Sequence, residues 1–457
     1  MDTVNIEING QPVAADPSQT ILEVVHAQGL DRIPTLCHSP ELKPYGSCFV
    51  CVVEVEGRPN LLPACATRVA GGMKIQTRSE RVVNSRRAAL ELLLSNHYAD
   101  CLSPCKLGCP AGVDVQGYIA LAAMGEFRQA ADLIRETNPL PAVCGRVCVR
   151  KCEGVCRRLD IDESVGINNI KRFITDSPGV YDATPERQPS RGKSVGIIGA
   201  GPAGLTAAWF LGRWGYDPVI YEAMSHPGGM LRYGIPEYRL PKADLDREVD
   251  YICRAGAEIK LGVKVGRDVT LDDLMQRHQA VFIGAGAWGS TPMHIEGEFS
   301  TEGVMTGIDF LIEKAERPTP VKGTVVVVGG GNTAMDVART SWRLGADKVI
   351  LLYRRTKAEM PADKLEVEDC IKEGIEILEL AAPVQVIAEN GKLRGLRCIR
   401  MKLGEPDASG RRRPIPMEGS EFELPCDLAM AAIGQRPVLD DMVGKGAGAP
   451  TLSKWQT

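Results

Sequence analysis

Apolar and polar positions alternate from the start of the chain: Val4, Ile6 and Ile8 are separated by Asn5 and Glu7, the pattern of a half-buried strand. An Asn9-Gly10 turn and residues 11–14 follow, which predicts a hairpin, with Pro12 confining the second strand to an edge or a short length. Residues 18–25 read as a short capped helix and 51–56 as a further alternating strand. Over 78–96 the period becomes helical, with Val82, Val83, Ala89, Leu90 and Leu93 along one face. Residues 97–156 are dense in Cys, Pro and Gly, and two helices are predicted there, over 115–123 and 127–136.

Between 176 and 193 lie Ser-Pro-Gly, Thr-Pro-Glu and Gln-Pro-Ser-Arg-Gly, a linker composition. A buried-strand run from Ser194 then enters a glycine turn and a helix, and a second strand–glycine–helix unit spans 324–338. At about 150 residues per domain, a chain of 457 residues accommodates roughly three domains. The expected architecture is α/β and multidomain. A ferredoxin-like domain occupies 1–77 and a helical domain 78–176, followed by the linker over 177–193. One dinucleotide-binding domain spans 194–290 with 428–457, and a second spans 291–427.

Charge excludes some functions. The 54 basic and 58 acidic side chains give a net charge of −4, without a dominant basic tract, so neither nucleic acid nor an anionic membrane is an expected partner. The longest apolar runs are far too short to cross a bilayer, and the N-terminus has no basic flank and apolar region of a signal peptide. A cytoplasmic protein is expected.

Of the 15 cysteines, 11 lie between Cys37 and Cys156 at short intervals. In a reducing compartment such clusters bind metal rather than form disulfides. Cys253, Cys370, Cys398 and Cys426 are isolated and read as small buried hydrophobes. Cys37, Cys48, Cys51 and Cys65 follow C-x10-C-x2-C-x13-C, with Gly46 permitting close backbone approach. Four thiolates satisfy tetrahedral zinc as well as a [2Fe-2S] cluster, although the first gap exceeds that of common zinc modules. A second set comprises Cys101, Cys105, Cys109, Cys144, Cys148, Cys152 and Cys156, with proline directly after Cys109.

The segments Pro34-Thr-Leu-Cys37, Gly46-Ser-Cys48-Phe-Val-Cys51 and Ala64-Cys65-Ala-Thr resemble the N-terminal ferredoxin-like domain of the large iron–sulfur subunit of respiratory complex I and related hydrogenases and formate dehydrogenases. That resemblance implies a β-grasp fold and one [2Fe-2S] cluster over about the first 80 residues. The second cysteine set, with Thr137-Asn-Pro-Leu-Pro-Ala-Val-Cys and Val165-Gly-Ile-Asn-Asn-Ile-Lys-Arg-Phe, resembles the N-terminal domain of the glutamate synthase small-subunit family. Dihydropyrimidine dehydrogenase and the large subunit of NADPH-linked bifurcating transhydrogenases share that domain. By this resemblance Cys101, Cys105 and Cys156 serve one [4Fe-4S] cluster, and Cys109, Cys148 and Cys152 another. Relatives often place an acidic or amide ligand where Lys171 stands, and an ammonium is no iron ligand. Either His97 or Cys144 completes a site, while a histidine at a helix C-terminus is also favoured by the dipole.

Gly199-Ala200-Gly201-Pro202-Ala203-Gly204 follows a strand and opens a helix, with Glu222 about 20 positions on, the fingerprint of a dinucleotide fold. Glu222 is the candidate for ribose hydroxyls. The next stretch, 227–242, matches the flavin-contacting segment of the glutamate synthase family. That match implies FAD near Gly229, Leu231 and Ile235, with Gly286 on the return strand. The second fingerprint carries Gly330, Gly331, Asn332 and Thr333, and its second strand ends in Arg354-Arg355 where an NAD site would carry an acid. Guanidinium groups suit a 2′-phosphate, so NADP(H) is expected. In the resembled family the chain continues beyond Ala431-Ala-Ile-Gly434 into a Gly-Gly-Asp motif, so the flavin domain is expected to be incomplete at its C-terminal end.

The resemblance implies hydride exchange between NADP(H) and FAD and single-electron transfer through the clusters, without catalytic side chains of its own. The favoured assembly is an electron-bifurcating transhydrogenase with partner subunits that handle NADH through FMN, or ferredoxin. The NADPH module of a formate dehydrogenase or hydrogenase is the alternative, followed by a glutamate synthase small-subunit-like protein. An electron-carrier scaffold without flavin turnover is the reading from another class.

Overall fold

The alternating N-terminal segment forms β1 (Val4–Ile8), paired antiparallel with β2 (Gln11–Ala15) across the Asn9-Gly10 turn. The predicted helix is α1 (Ile21–Ala27), started by a reciprocal capping box between Thr20 and Glu23. Strands β3 (Val52–Val55), β4 (Leu62–Pro63) and β5 (Lys74–Gln76) complete a mixed sheet of order β2-β1-β5-β3-β4, with Pro12 on an edge strand. Ile6, Ile8, Ile21, Val25, Val53 and Ile75 form its core. The computed structural model describes residues 3–40, 42–95, 102–408 and 410–439. The chain divides into two compact units between Leu102 and Ser103.

Helix α2 (Glu80–Ser95) forms over the predicted span in the first unit, but its apolar face is mostly open. Val82 alone of the predicted face is buried; Val83, Leu90 and Leu93 are 49%, 41% and 40% exposed. Periodicity identifies a face, but burial needs a neighbour. The helix is fastened near its start, where Arg86 donates to the carbonyl of Val52 at 2.7 Å.

The second unit opens with short helices: α3 (Pro104–Leu107), α4 (Val115–Ala123), α5 (Phe127–Arg135), α6 (Pro141–Val147), α7 (Lys151–Gly154) and α8 (Ile167–Asp176). Tyr118, Ala130, Ile134, Ile167 and Ile174 form their core. Residues 177–193 carry no helix or strand, yet Val180 is buried, and the backbone N–H of Gln188 reaches the carbonyl of Arg213 at 2.8 Å.

Next comes a parallel sheet of β6 (Ser194–Ile198), β7 (Asp217–Glu222), β8 (Glu258–Leu261) and β9 (Ala280–Ile283), in the order β8-β7-β6-β9. Helices α9 (Pro202–Arg213), α10 (Met230–Tyr233), α11 (Lys242–Arg254) and α12 (Leu271–Arg277) accompany it. Strand β10 (Gly289–Ser290) leads into a second parallel sheet made of β11 (Val304–Thr306), β12 (Thr324–Val328), β13 (Lys348–Tyr353), β14 (Glu376–Glu379) and β19 (Leu428–Ala431). Its order is β11-β19-β12-β13-β14, with α13 (Gly307–Glu316), α14 (Asn332–Arg343) and α15 (Lys364–Lys372) packed around it. An antiparallel insert of β15 (Ala381–Glu389), β16 (Lys392–Pro406), β17 (Arg412–Pro416) and β18 (Phe422–Pro425) interrupts this sheet before β19. Strand β20 (Gln435–Arg436) then pairs back onto β10. Both sheets carry the central order of a dinucleotide fold, in which the crevice lies beyond the carboxyl ends of the strands.

The cluster helices are bound to the first parallel sheet through α11. Glu248 is buried, and its two oxygens accept the backbone N–H groups of Ala142 and Val143 at 2.6 and 3.1 Å. Tyr181 donates its hydroxyl to the same carboxylate at 3.2 Å. Arg146, one turn along α6, pairs with Asp244 and Asp176, both at 2.7 Å. Burial raises the Glu248 carboxyl to about 7 from its ordinary 4.5. The folded chain therefore holds a proton there that the unfolded chain has released, and stability falls as pH rises from about 4.5 through 7. Glu248→Gln should flatten this fall. In urea melts at pH 5 and pH 8, its loss of stability between the two should be smaller than the native chain's by an amount on the order of 3 kcal/mol or less.

Candidate functional site

The first glycine loop is held by its own backbone and by Glu222. A Cβ on Gly204 would sit 1.9 Å from the carbonyl oxygen of Gly199, so only glycine lets α9 pack this tightly on β6. The Glu222 carboxylate accepts the N–H of Ala200 at 2.7 Å and of Met224 at 2.8 Å, fixing the loop from beneath. Its sequence-assigned partner is ribose; the structure adds this loop-bracing role, and a carboxylate retains acceptor capacity beyond two bonds. Gly229 closes over the loop so nearly that a Cβ there would lie 2.8 Å from Gly201 Cα. Pro202 opens α9, Leu231 is buried on α10, and Ile235 is partly buried just beyond. This glycine cradle, at a helix N-terminus with an acid at the end of β7, fits the pyrophosphate and ribose of FAD.

The second loop opens a cleft of about 670 Å³ lined by Gly330, Gly331, Thr333, Arg354, Arg355 and Gly434. Gly330 lies under the Tyr353 ring, where a Cβ would come within 2.5 Å, whereas a Cβ on Gly331 would meet open space. Asn332 turns its side chain to the N–H of Asp363 at 2.9 Å and shapes the wall. The two arginines differ. Arg355 is buried, donating to the carbonyl of Arg412 and to Asp407, both at 2.7 Å, so it ties the antiparallel insert to the sheet. Arg354 is exposed just beyond the strand end and lines the cleft. Arg411 also lines the cleft; its run Arg411-Arg412-Arg413 was the sequence signal that composition alone passed over. Gly286 and Gly434 directly precede the paired strands β10 and β20, the first of which carries the chain from one parallel sheet to the other.

Sequence reasoning also missed what joins the two loops. Arg239, in the segment assigned to flavin, donates to both oxygens of Asp336 on α14 at 2.7 Å and pairs with Glu366 at 2.9 Å. Burial raises Asp336 to about 6, against the pull of Arg239. Lys242 donates to the carbonyls of Leu231, Ile235 and Leu240 at 2.6–3.1 Å, and burial lowers it to about 8.

The first cysteine set is brought into electrical contact. Burial foremost pushes Cys65 up to about 12, followed by a hydrogen bond to Cys51 and the charges of Cys51, Cys37 and Cys48. Cys37 is held down to about 7, first by the backbone N–H of Cys48, then by the side chains of Ser47 and Cys48. Loop N–H groups aimed at sulfur suit a thiolate-bound cluster. In the second set, Cys105, Cys109 and Cys152 all act on the Tyr118 hydroxyl, which burial chiefly pushes upward. Cys148 acts on both Cys144 and Cys152, and the N–H of Arg150 points at Cys148 Sγ at 3.4 Å. Cys156 is partly buried just beyond α7. His97 and Cys101 lie outside the described residues. Among the described residues no three ligating side chains gather round one ion-sized point. Cys370, Cys398 and Cys426 are buried as expected, while Cys253 is only partly so. Gly204→Ala should destabilise the chain by about 1–3 kcal/mol in chemical denaturation. Gly331→Ala should leave stability unchanged and weaken dinucleotide binding in titration calorimetry.

No helix among the described residues is long and apolar enough to cross a membrane. Residues 1–80 match the family of 2Fe-2S iron-sulfur cluster binding domains. Residues 92–181 match dihydropyrimidine dehydrogenase domain II, 4Fe-4S cluster, and residues 193–453 match pyridine nucleotide-disulphide oxidoreductase. The NADPH-Fe(3+) oxidoreductase subunit beta of Geobacter sulfurreducens is 45% identical over 363 residues, covering 78% of this chain and 54% of that protein. The NADP(+)-dependent formate dehydrogenase subunit beta of Moorella thermoacetica is 42% identical, covering 75% and 52%. This chain thus spans about half the length of these two relatives. The glutamate synthase [NADPH] small chain of Escherichia coli K12 is 40% identical over 355 residues, 74% of this chain and 75% of that protein. With its glycine loops and cysteine helices in one continuous run, the chain belongs to the pyridine nucleotide-disulphide oxidoreductase family, in the branch of the glutamate synthase small chain, with a 2Fe-2S domain ahead of it.

Proposed function

We propose that this chain is the NADP(H)-handling subunit of a multi-subunit iron–sulfur flavoprotein. It would hold NADP(H) at Gly330–Thr333 and Arg354, FAD at the Gly199–Gly204 loop, Glu222 and the Gly229–Ile235 segment, one [2Fe-2S] cluster and two [4Fe-4S] clusters. The observation that carries this reading is the fastening of α6, the helix of Cys144, to the flavin sheet by Glu248 and Arg146, within the same compact unit as both glycine loops. Bound FAD supplies the conversion between hydride transfer and single-electron transfer. The protein's part is placement: Arg239 and Asp336 hold the flavin segment against the nicotinamide helix, and Lys242 fixes the turn that follows α10.

The specific assembly we favour is an electron-bifurcating transhydrogenase in which partner subunits handle NADH, through FMN, and ferredoxin. Support comes from the [2Fe-2S] domain ahead of a glutamate synthase-like body, which provides more one-electron stations than glutamate synthesis requires. The Moorella thermoacetica relative, named as a formate dehydrogenase subunit at 42% identity, supports the second reading, the NADPH module of such a complex. The chain purified anaerobically with its native partners distinguishes them. About ten irons and one FAD, with the visible spectrum bleached by NADPH, are expected. A requirement for NADH or ferredoxin points to the transhydrogenase, and formate-dependent reduction to the second reading. Iron without flavin and no response to NADPH would leave only an electron-carrier scaffold. Arg354→Ala should weaken NADPH binding roughly tenfold or more with NADH binding little changed. Arg355→Ala should instead lower stability.

A further inference from the structure

Among the described residues six that are not glycine have a left-handed backbone, and two of them, His294 (φ 60°) and Leu380 (φ 54°), stand at one edge of the cleft beside the second glycine loop. Asn9 and Asn390 each precede the glycine of a hairpin turn, where that conformation is ordinary. A histidine or a leucine held in it costs free energy and persists only where the surroundings impose it. Leu380 turns the chain from β14 into β15, with its N–H on the carbonyl of Arg355 at 3.2 Å. His294 is imposed by a carboxylate: Glu298, 8% exposed, accepts the N–H groups of Met293 and His294 at 2.7 and 2.8 Å.

Residues 291–294 line the cleft in one run. The segment is fixed at one end where the N–H of Thr291 meets the carbonyl of Gly434 at 3.0 Å, and at the other where the N–H of Val386 meets the carbonyl of Glu296 at 2.9 Å. Glu296 pairs in parallel with Gln385, which brings His294 and Pro383, each two positions earlier, to the same edge, and both line the cleft. Leu380, directly before that lining, is bonded to Arg355, so this is the end of the cleft at which Arg354 stands. His294 and Arg354 are both exposed, and among the described residues neither side chain has a hydrogen-bond or ion-pair partner.

Resting on the reading of this cleft as the NADP(H) site, we propose that His294 is a specificity-determining residue that donates an imidazole N–H to the 2′-phosphate of the dinucleotide, at the same end of the cleft as Arg354. An imidazole carries an N–H in either protonation state, so the bond does not wait on a titration. Hydrogen bonds to a charged acceptor belong to the stronger class. NAD(H) offers only a hydroxyl at the same place, so a donor here raises the preference for the phosphorylated dinucleotide. The two Glu298 bonds fix the backbone from which the ring projects, and binding does not have to order it.

The test is titration calorimetry of NADP⁺ and, separately, of NAD⁺ into the full chain, purified anaerobically with its cofactors. In His294→Gly, a residue suited to positive φ, stability in urea should be retained or raised. The same variant should bind NADP⁺ about tenfold more weakly and NAD⁺ as the native chain does. Should that variant not fold, His294→Ala, which also removes the ring, is read by the same two titrations and should show the same selective loss. Equal weakening of both dinucleotides would mark His294 as shaping the cleft edge only and overturn the proposal, as would unchanged NADP⁺ binding. A native chain that binds NAD⁺ as tightly as NADP⁺ would defeat the NADP(H) reading, and the proposal with it, an outcome separate from any difference between variants.

Discussion

Glu248 closes a gap that the rest of the second unit is built around. A carboxyl group taken fully out of water is expensive to ionise, and three donors offset only part of that cost: two successive backbone N–H groups of α6 and the Tyr181 hydroxyl. The donors belong to the cysteine-bearing helices and the strap that follows them, whereas the acceptor belongs to α11, beside the first parallel sheet. Their bond sets the register between two pieces of chain about a hundred residues apart. Arg146 adds a second fixed point through Asp244, and Trp209 a third through the carbonyl of Arg135. Two bodies joined at three such points are held in one orientation.

The parts of this architecture most legible in the sequence are those enforced by steric exclusion. A Gly204 that cannot accept a Cβ and a Gly330 capped by Tyr353 leave no alternative residue, so the glycine fingerprints translate directly into loops. The hairpin at Asn9-Gly10 and the Thr20 capping box are equally local. What was not legible depends on distant partners. The apolar stripe of α2 has the right period but few neighbours. The Arg354-Arg355 pair splits into one exposed and one buried guanidinium only because Asp407, over fifty residues on, claims the second. Arg239 and Asp336 are separated by 97 positions, and nothing local marks either as half of a pair.

Charge placement around the sulfur atoms follows the same division. Spacing locates the cysteines, but the side chains that act on them come from elsewhere in the fold: Lys171 from α8 and Glu248 from α11 both bear on Cys144. A motif therefore reports what can bind, while the surrounding helices decide with what electrical bias it does so. In the first unit the bias comes instead from backbone N–H groups of the cysteine loop itself.

The chain leaves the first parallel sheet for the second through β10, and β20, which follows the last strand of the second sheet, lies beside it, paired at Gly289 with Arg436 and at Ser290 with Gln435. Two strands bound edge to edge resist shear where a single strand would not. Twisting or sliding one sheet past the other would have to break the hydrogen bonds of this ribbon. The Arg239–Asp336 contact is a second fastening, made between side chains where the ribbon is made between backbones.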